Sequence, residues 1–96
     1  MFEESIGGTE TILFVEDEFF LYETSRFALI SKGYRVLYAK DGIDALDVYR
    51  QHYKEIRLVL TDLNLPKLGG EGLVQTLLGI NPKLRVIFVS GYIERK

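Results

Sequence analysis

The chain has 96 residues, of which 47% are hydrophobic and 27% charged, and this fits one small globular domain. Twelve basic and fourteen acidic side chains give a net charge of -2, which argues against a nucleic-acid-binding surface. The absence of cysteine excludes disulfides, thiolate metal sites and cysteine nucleophiles. No apolar run reaches the roughly 18 residues of a membrane span. We therefore predict a cytoplasmic domain that contacts neither nucleic acid nor membrane.

The predicted elements alternate between strands and helices after a polar, glycine-containing lead-in over residues 1–8. In chain order they are a strand over 11–15, a helix over 18–32, a strand over 34–39, a helix from 41 to about 52, a strand over 56–61, a helix over 70–80 and a strand over 84–90. The strand segments are apolar nearly throughout, as in strands buried on both faces. Residues typical of helix ends flank the helical segments: Gly33 follows the first, Asp41 precedes the second and Pro82 follows the third.

This alternation predicts an α/β fold, a doubly wound parallel sheet with helices on both faces. Ligands of such sheets bind beyond the carboxyl ends of the strands, where the winding direction reverses. If strands 1 and 3 are neighbours there, Glu16 and Asp17 come to lie beside Asp62. Strand 4, on the other side of strand 3, would bring Ser90 to the same rim.

Clustered carboxylates raise one another's pKa unless a cation lies among them. Oxygen ligands without histidine or cysteine favour Mg²⁺ over zinc. A carboxylate beside Mg²⁺ can be a ligand or a nucleophile that accepts a phosphoryl group. Proline in the "DLNLP" loop limits the backbone freedom of this segment.

Three motifs, "TILFVEDE", "LTDLNLPKLGG" and "VIFVSGY", together resemble the receiver domain of two-component response regulators. The longer stretch "GGTETILFVEDE" resembles the C-terminal receivers of hybrid sensor histidine kinases in particular. The resemblance covers residues 9–96, which we take as the domain. It implies a flavodoxin-like receiver fold with strand order 2-1-3-4, and a phosphorelay function in signal transduction rather than turnover of a small substrate.

The resemblance also implies a role for each site residue. Asp62 matches the phosphoacceptor, which takes a phosphoryl group from a phosphohistidine of a histidine kinase or phosphotransfer partner. Glu16 and Asp17 match the acidic pair that holds Mg²⁺, together with Asp62 and the main-chain carbonyl of Asn64. Ser90 matches the hydroxyl that hydrogen-bonds the phosphoryl group.

The family pattern continues with a fifth strand ending in a Lys-Pro pair and a last helix, and these are missing from this chain. Neither Lys67 nor Lys96 takes the place of the family's lysine, so we expect impaired phosphorylation. Strand 4 is then an exposed edge, which favours pairing with a second copy as a homodimer or a swapped association. We expect the chain to be a truncated receiver.

The first helix is the expected docking surface for the phosphodonor, through Phe20 and Phe27. Its predicted core stripe is weak and contains Leu21, Thr24 and Ala28. The alternative to a docking surface is a helix that is buried on more than one side.

Two other functions stay open. One is a phosphorylation-independent interaction module with the receiver fold. The other is a metal-dependent phosphohydrolase, which would need a second carboxylate where Asn64 stands.

Overall fold

The computed structural model describes residues 9–62 and 68–89. Their elements, in chain order, are β1 Thr11–Val15, α1 Phe19–Ser31, β2 Arg35–Ala39, α2 Gly42–His52, β3 Ile56–Asp62, α3 Gly70–Ile80 and β4 Arg85–Val89. Each predicted element is present and begins and ends within about one residue of its predicted bounds. The predicted lead-in over 1–8 lies outside the described residues, so the division of the chain at residue 9 stays a prediction.

The four strands form one parallel sheet in the order β2-β1-β3-β4, which confirms the predicted topology. β1 lies between β2 and β3, and its residue Val15 is opposite Ala39 on one side and Thr61 on the other. Asp62 is the last residue of β3, opposite Val89 of β4, rather than the first residue of the following loop. The carboxyl ends of the two central strands therefore meet at one edge of the sheet.

The main core lies between one face of the sheet and helices α2 and α3. Because side chains alternate along a strand, Leu13 and Val15 of β1 share this face with Val59 of β3. All three are fully buried, as are Leu73 and Leu77 of α3. Burying such side chains is the main favourable contribution to folding of the domain.

Helix α1 covers part of the opposite face, and its buried side differs from the predicted one. Tyr22 is its buried residue, and the ring packs edge-on against Phe14 of β1, with 5.5 Å between centroids. Thr24 and Ala28 are exposed and Leu21 is half-buried, so the predicted core stripe was wrong. The side of α1 that faces the sheet is therefore that of Tyr22, whose large ring reaches Phe14.

The end of α1 and the start of α2 are formed by the predicted residues. Gly33 has a φ of 101°, and its N–H donates to the carbonyl of Ile30 while the N–H of Tyr34 donates to that of Leu29. This pair of bonds is the Schellman ending that favours glycine. Asp41 caps α2 by accepting a 2.8 Å hydrogen bond from the N–H of Asp44. Of the helices in the described stretches, none has the length and apolar character needed to cross a bilayer.

Candidate functional site

The pairing of β1 with β3 brings acidic residues together at the carboxyl edge of the sheet. Val15 lies opposite Thr61, so the residues that follow them, Glu16 and Asp62, leave the two strands side by side. The hydroxyl of Thr61, which is fully buried, donates a 3.1 Å hydrogen bond to the carbonyl oxygen of Asp62. Two residues far apart in sequence thus become neighbours through strand register.

Three carboxylates form the resulting group: Glu16, Asp17 and Asp62. One carboxylate oxygen from each lies within 4.8 Å of the others. Glu16 and Asp62 are buried, with 5% and 6% of their surface exposed, whereas Asp17 is exposed. The group therefore has a buried base and one open side. We call these three residues the acidic triad.

The backbone of Glu16 is fixed by hydrogen bonds to β2 on both sides of its α-carbon. Its N–H donates to the carbonyl oxygen of Ala39 at 3.0 Å, and its own carbonyl oxygen accepts from the Tyr38 hydroxyl at 3.0 Å. The carboxylate of Glu16 accepts a 3.1 Å hydrogen bond from the N–H of Glu18, at the start of α1. These contacts hold the glutamate at the rim of the sheet.

Burial raises the pKa of the Glu16 carboxyl above its ordinary value of 4.5. The N–H of Glu18 acts in the opposite direction, because it stabilises the carboxylate. The negative charges of Asp62 and Asp17 raise the pKa of Glu16 further. Without a cation, the triad is therefore a source of like-charge repulsion at neutral pH.

The donor set of the acidic triad fits a hard divalent cation. All three ligands are carboxylate oxygens, the ligand type of Mg²⁺, and the separation of their oxygens permits a shared ion. Mg²⁺ usually keeps several waters and takes one or two protein carboxylates, and exposed Asp17 leaves the site open to solvent. A cation would also remove the repulsion that raises the pKa of Glu16.

Two of the predicted site residues, Asn64 and Ser90, lie outside the described residues. So do Lys67 and Lys96, the lysines weighed against the family's pattern. Their roles stay predictions.

The described chain resumes at Leu68, which lies against the start of α2. A methyl group on Gly42 would come within 2.7 Å of the Leu68 β-carbon, so glycine permits this close approach.

A comparison with models of known families decides what kind of domain carries this site. Residues 12–96 match the response regulator receiver domain. The chain belongs to the receiver family. The strand order of this receiver is that of flavodoxin-like folds. Its acidic triad lies at the carboxyl edge of the sheet, where proteins with this topology bind their ligands.

Similar sequences belong to larger signalling proteins. This receiver is 36% identical over 89 residues to the sensor kinase CckA of Brucella abortus, covering 93% of this chain and 9% of the kinase. It is 28% identical to the chemotaxis protein CheY of Treponema pallidum, covering 88% of this chain and 59% of that protein. The chain thus spans less than two thirds of the length of either relative.

Solved structures agree with the fold of this receiver. A receiver domain from Clostridium thermocellum superimposes with a TM-score of 0.82 at 28% identity, covering 88% of this chain and 69% of that one. The receiver of the hybrid histidine kinase CckA gives a TM-score of 0.79 at 35% identity, covering 85% and 76%. CheY of Borrelia burgdorferi, in a complex with CheX, BeF₃ and magnesium, gives 0.82 at 27% identity, covering 92% and 66%.

One contact of the site was missed by reasoning from the sequence. Tyr38 lies in β2, which was not among the strands predicted to contribute to the site, yet its hydroxyl contacts the backbone of Glu16. The sequence feature that could have indicated this contact is a tyrosine near the end of the strand beside β1. That signal is weak, because tyrosine is common in buried strands.

The acidic triad leads to a prediction for the protein kept free of divalent cations. Replacing Glu16 with glutamine should raise the free energy of unfolding at neutral pH by about 1 kcal/mol, the order of one like-charge contact. Glutamine removes the buried charge but keeps an oxygen that can accept the N–H of Glu18. The measurement is urea unfolding, followed by circular dichroism in the presence of a chelator.

The pH dependence of the free energy of unfolding tests whether the effect of Glu16→Gln is electrostatic. Because the folded-state pKa of Glu16 is raised, the folded protein binds more protons than the unfolded chain between pH 4.5 and that raised value. The wild type therefore gains stability on acidification, and the advantage of Glu16→Gln is lost as the pH falls through this window. Glu23→Gln, at a partly exposed position of α1 where the side chain forms a surface ion pair with Arg26, is the control and should change stability little. An advantage that is independent of pH would contradict the electrostatic explanation.

Proposed function

We propose that this chain is a phosphorelay receiver that accepts a phosphoryl group on Asp62 in the presence of Mg²⁺. The observation that carries the proposal is the grouping of Asp62 with Glu16 and Asp17, whose oxygens lie within 4.8 Å of one another at the ligand-binding edge of the sheet. Membership of the receiver family supports the same function.

In the proposed reaction, a carboxylate oxygen of Asp62 attacks the phosphorus atom of a phosphohistidine on the partner. The new O–P bond forms as the P–N bond breaks, and the bond electrons leave with the imidazole, which takes up a proton. Bound Mg²⁺ would neutralise the negative charge that builds up between the carboxylate and the phosphoryl oxygens. Asp62, the buried last residue of β3, would be positioned for this attack by the pairing of its strand with β4.

Each member of the site has a proposed part. Asp17, exposed beside Asp62, would hold the ion directly, and Glu16 would hold it through water, as the resemblance to receivers implies. The carbonyl of Asn64 would complete the protein ligands, and the hydroxyl of Ser90 would hydrogen-bond the phosphoryl group.

The wider context is part of the same proposal. Similarity to the sensor kinase CckA supports a place for this receiver within a hybrid histidine kinase. The cytoplasmic location predicted from the sequence belongs to this proposal and stays a prediction.

The first test is chemical phosphorylation with acetyl phosphate and Mg²⁺, followed by intact-protein mass spectrometry. The wild type should gain the mass of one phosphoryl group, and Asp62→Asn should gain none, because the amide is not a nucleophile here. Asp17→Asn should slow the modification at least tenfold by weakening the cation site. Asp47→Asn, at an exposed position of α2, is the matched control and should behave like the wild type.

Two results would change the conclusion. If Asp62→Asn were modified as fast as the wild type, the acceptor would be another residue. If the wild type gained no phosphoryl group and bound no beryllofluoride, a phosphorylation-independent interaction module would be the better description.

Helix α1 is the proposed docking surface for the phosphodonor. Phe20 and Phe27 have 78% and 75% of their surface exposed, and they lie about two helical turns apart on the same side of α1. Large aromatic side chains at this spacing form a stripe suited to packing against another helix. Such exposed side chains cost free energy in water, and a helical bundle would cover them.

Replacing Phe20 and Phe27 with glutamine should lower kcat/KM for transfer from a phosphorylated histidine kinase at least tenfold, as expected for aromatic anchors of an interface. The rate with acetyl phosphate should stay unchanged, because the small donor needs no docking surface. Ile43→Gln on α2, which also changes an exposed apolar residue, is the control. Equal losses with both donors would show damage to the site rather than to docking.

Self-association through β4 is a further part of the proposal. β4 lies at the edge of the sheet formed by the described strands, with Ile87 51% and Phe88 40% exposed. Unpaired strand edges with apolar side chains favour pairing with a second copy. The sedimentation of the wild type should therefore depend on protein concentration, and Phe88→Lys should shift it towards the monomer. A wild type that sediments as a monomer at all concentrations would rule out this part.

A further inference from the structure

Tyr38 connects β2 to the backbone of the acidic triad. Its hydroxyl donates a 3.0 Å hydrogen bond to the carbonyl oxygen of Glu16. This carbonyl belongs to the peptide group whose N–H is that of Asp17. Because a peptide group is planar and rigid, a bond that fixes its carbonyl also fixes the direction in which the chain continues to Asp17. One hydroxyl therefore acts on the backbone of two of the three acidic residues.

The second backbone bond of Glu16 makes this orientation more rigid. The N–H of Glu16 donates at 3.0 Å to the carbonyl of Ala39, the residue after Tyr38. Two successive residues of β2 thus hold the two backbone polar groups of one glutamate. The neighbouring strand defines the orientation of β1 where it ends, just before the exposed Asp17.

The ring of Tyr38 is held by an aromatic cluster, which consists of Phe14, Phe19, Tyr22 and Tyr38. The centroid of Tyr38 lies 4.1 Å from that of Tyr22 and 5.8 Å from that of Phe19. Tyr22 in turn contacts Phe14 of β1. The cluster joins β1, β2 and the first turn of α1. It therefore holds both ends of the short connection from β1 to α1 that contains Glu16 and Asp17. Packing of this kind fixes the ring and so fixes the position of its hydroxyl.

The Tyr38 hydroxyl also keeps its proton. Burial raises its pKa above the ordinary value of 10.0, and the negative charge of Glu16 raises it further. The group is therefore a hydrogen-bond donor at neutral pH.

We propose that Tyr38 is a positioning residue for the cation site, orienting the peptide between Glu16 and Asp17 so that their carboxylates meet Asp62 in the geometry that Mg²⁺ requires. Mg²⁺ demands nearly ideal octahedral coordination, so a small rotation of this peptide weakens binding. The inference rests on the proposed function, because it concerns the same site.

The test is Tyr38→Phe, which removes the hydroxyl and keeps the ring in the aromatic cluster. Calorimetric titration with magnesium chloride alone should give an affinity about 3- to 10-fold weaker than that of the wild type, the effect of one hydrogen bond. In the metal-free protein, the amide proton resonance of Asp17 should move upfield, since the carbonyl of its peptide group has lost a donor. That second signal is independent of Mg²⁺ and of phosphorylation.

Tyr49→Phe is the matched control. Tyr49 is buried, and its hydroxyl accepts a 3.3 Å hydrogen bond from the side-chain amide of Asn81, at the C-terminal end of α3. The substitution also removes a tyrosine hydroxyl, but from a residue that has no contact with the acidic triad in the hydrogen bond described. It should lower the free energy of unfolding while leaving the Mg²⁺ affinity and the Asp17 resonance unchanged.

Each outcome separates this inference from the proposed function. A weaker affinity and a shifted Asp17 resonance in Tyr38→Phe alone would support it. Wild-type Mg²⁺ affinity in Tyr38→Phe would overturn it and leave the proposed function intact. Equal losses of affinity in Tyr38→Phe and Tyr49→Phe would also overturn it, because the effect would then be a general loss of stability. A wild type that binds no Mg²⁺ would overturn the proposed cation site itself, and the inference with it.

Discussion

The parallel pairing of β1 with β3 is the constraint on which the rest of this receiver depends. It gives the sheet its centre, and it sets the acidic ends of both strands side by side. A shift of the register by one residue would move Asp62 away from Glu16 and turn every side chain of β3 to the other face. The fully buried residues Leu13 and Val59, on the face that packs against α2 and α3, make such a shift expensive. The hydrophobic core thus fixes the geometry of the site.

Keeping the three carboxylates together lowers the stability of the folded state. Two of them are largely buried, and their like charges oppose folding when no cation is bound. Hydrogen bonds partly offset the cost at Glu16, whose carboxylate accepts from the N–H of Glu18 and whose backbone bonds to β2. The least favourable electrostatics of the domain thus coincide with the site proposed to bind a cation and accept a phosphoryl group.

Helix α1 has two sides with different exposure. Its inner side carries Tyr22, which packs onto the sheet and holds Tyr38 in place. Its outer side carries Phe20 and Phe27, which are exposed. A helix that uses one large ring to reach the sheet needs few other buried residues, and this explains why its apolar pattern in the sequence is weak. The proposed docking surface and the acidic triad are therefore joined by a single rigid element that begins two residues after Asp17.

The sequence by itself determined the order and type of the seven elements in the described residues, whereas the strand order came from the resemblance to receiver domains. Continuous apolar runs define buried strands, and glycine, aspartate and proline mark the ends of the helices, so the elements depend on local chemistry that can be read directly. Only the tertiary structure decided which side of α1 is buried and that Tyr38 reaches the backbone of Glu16. Both depend on how an aromatic ring on a helix meets one on a strand, and that contact is set by packing between segments far apart in the chain rather than by the spacing within either segment.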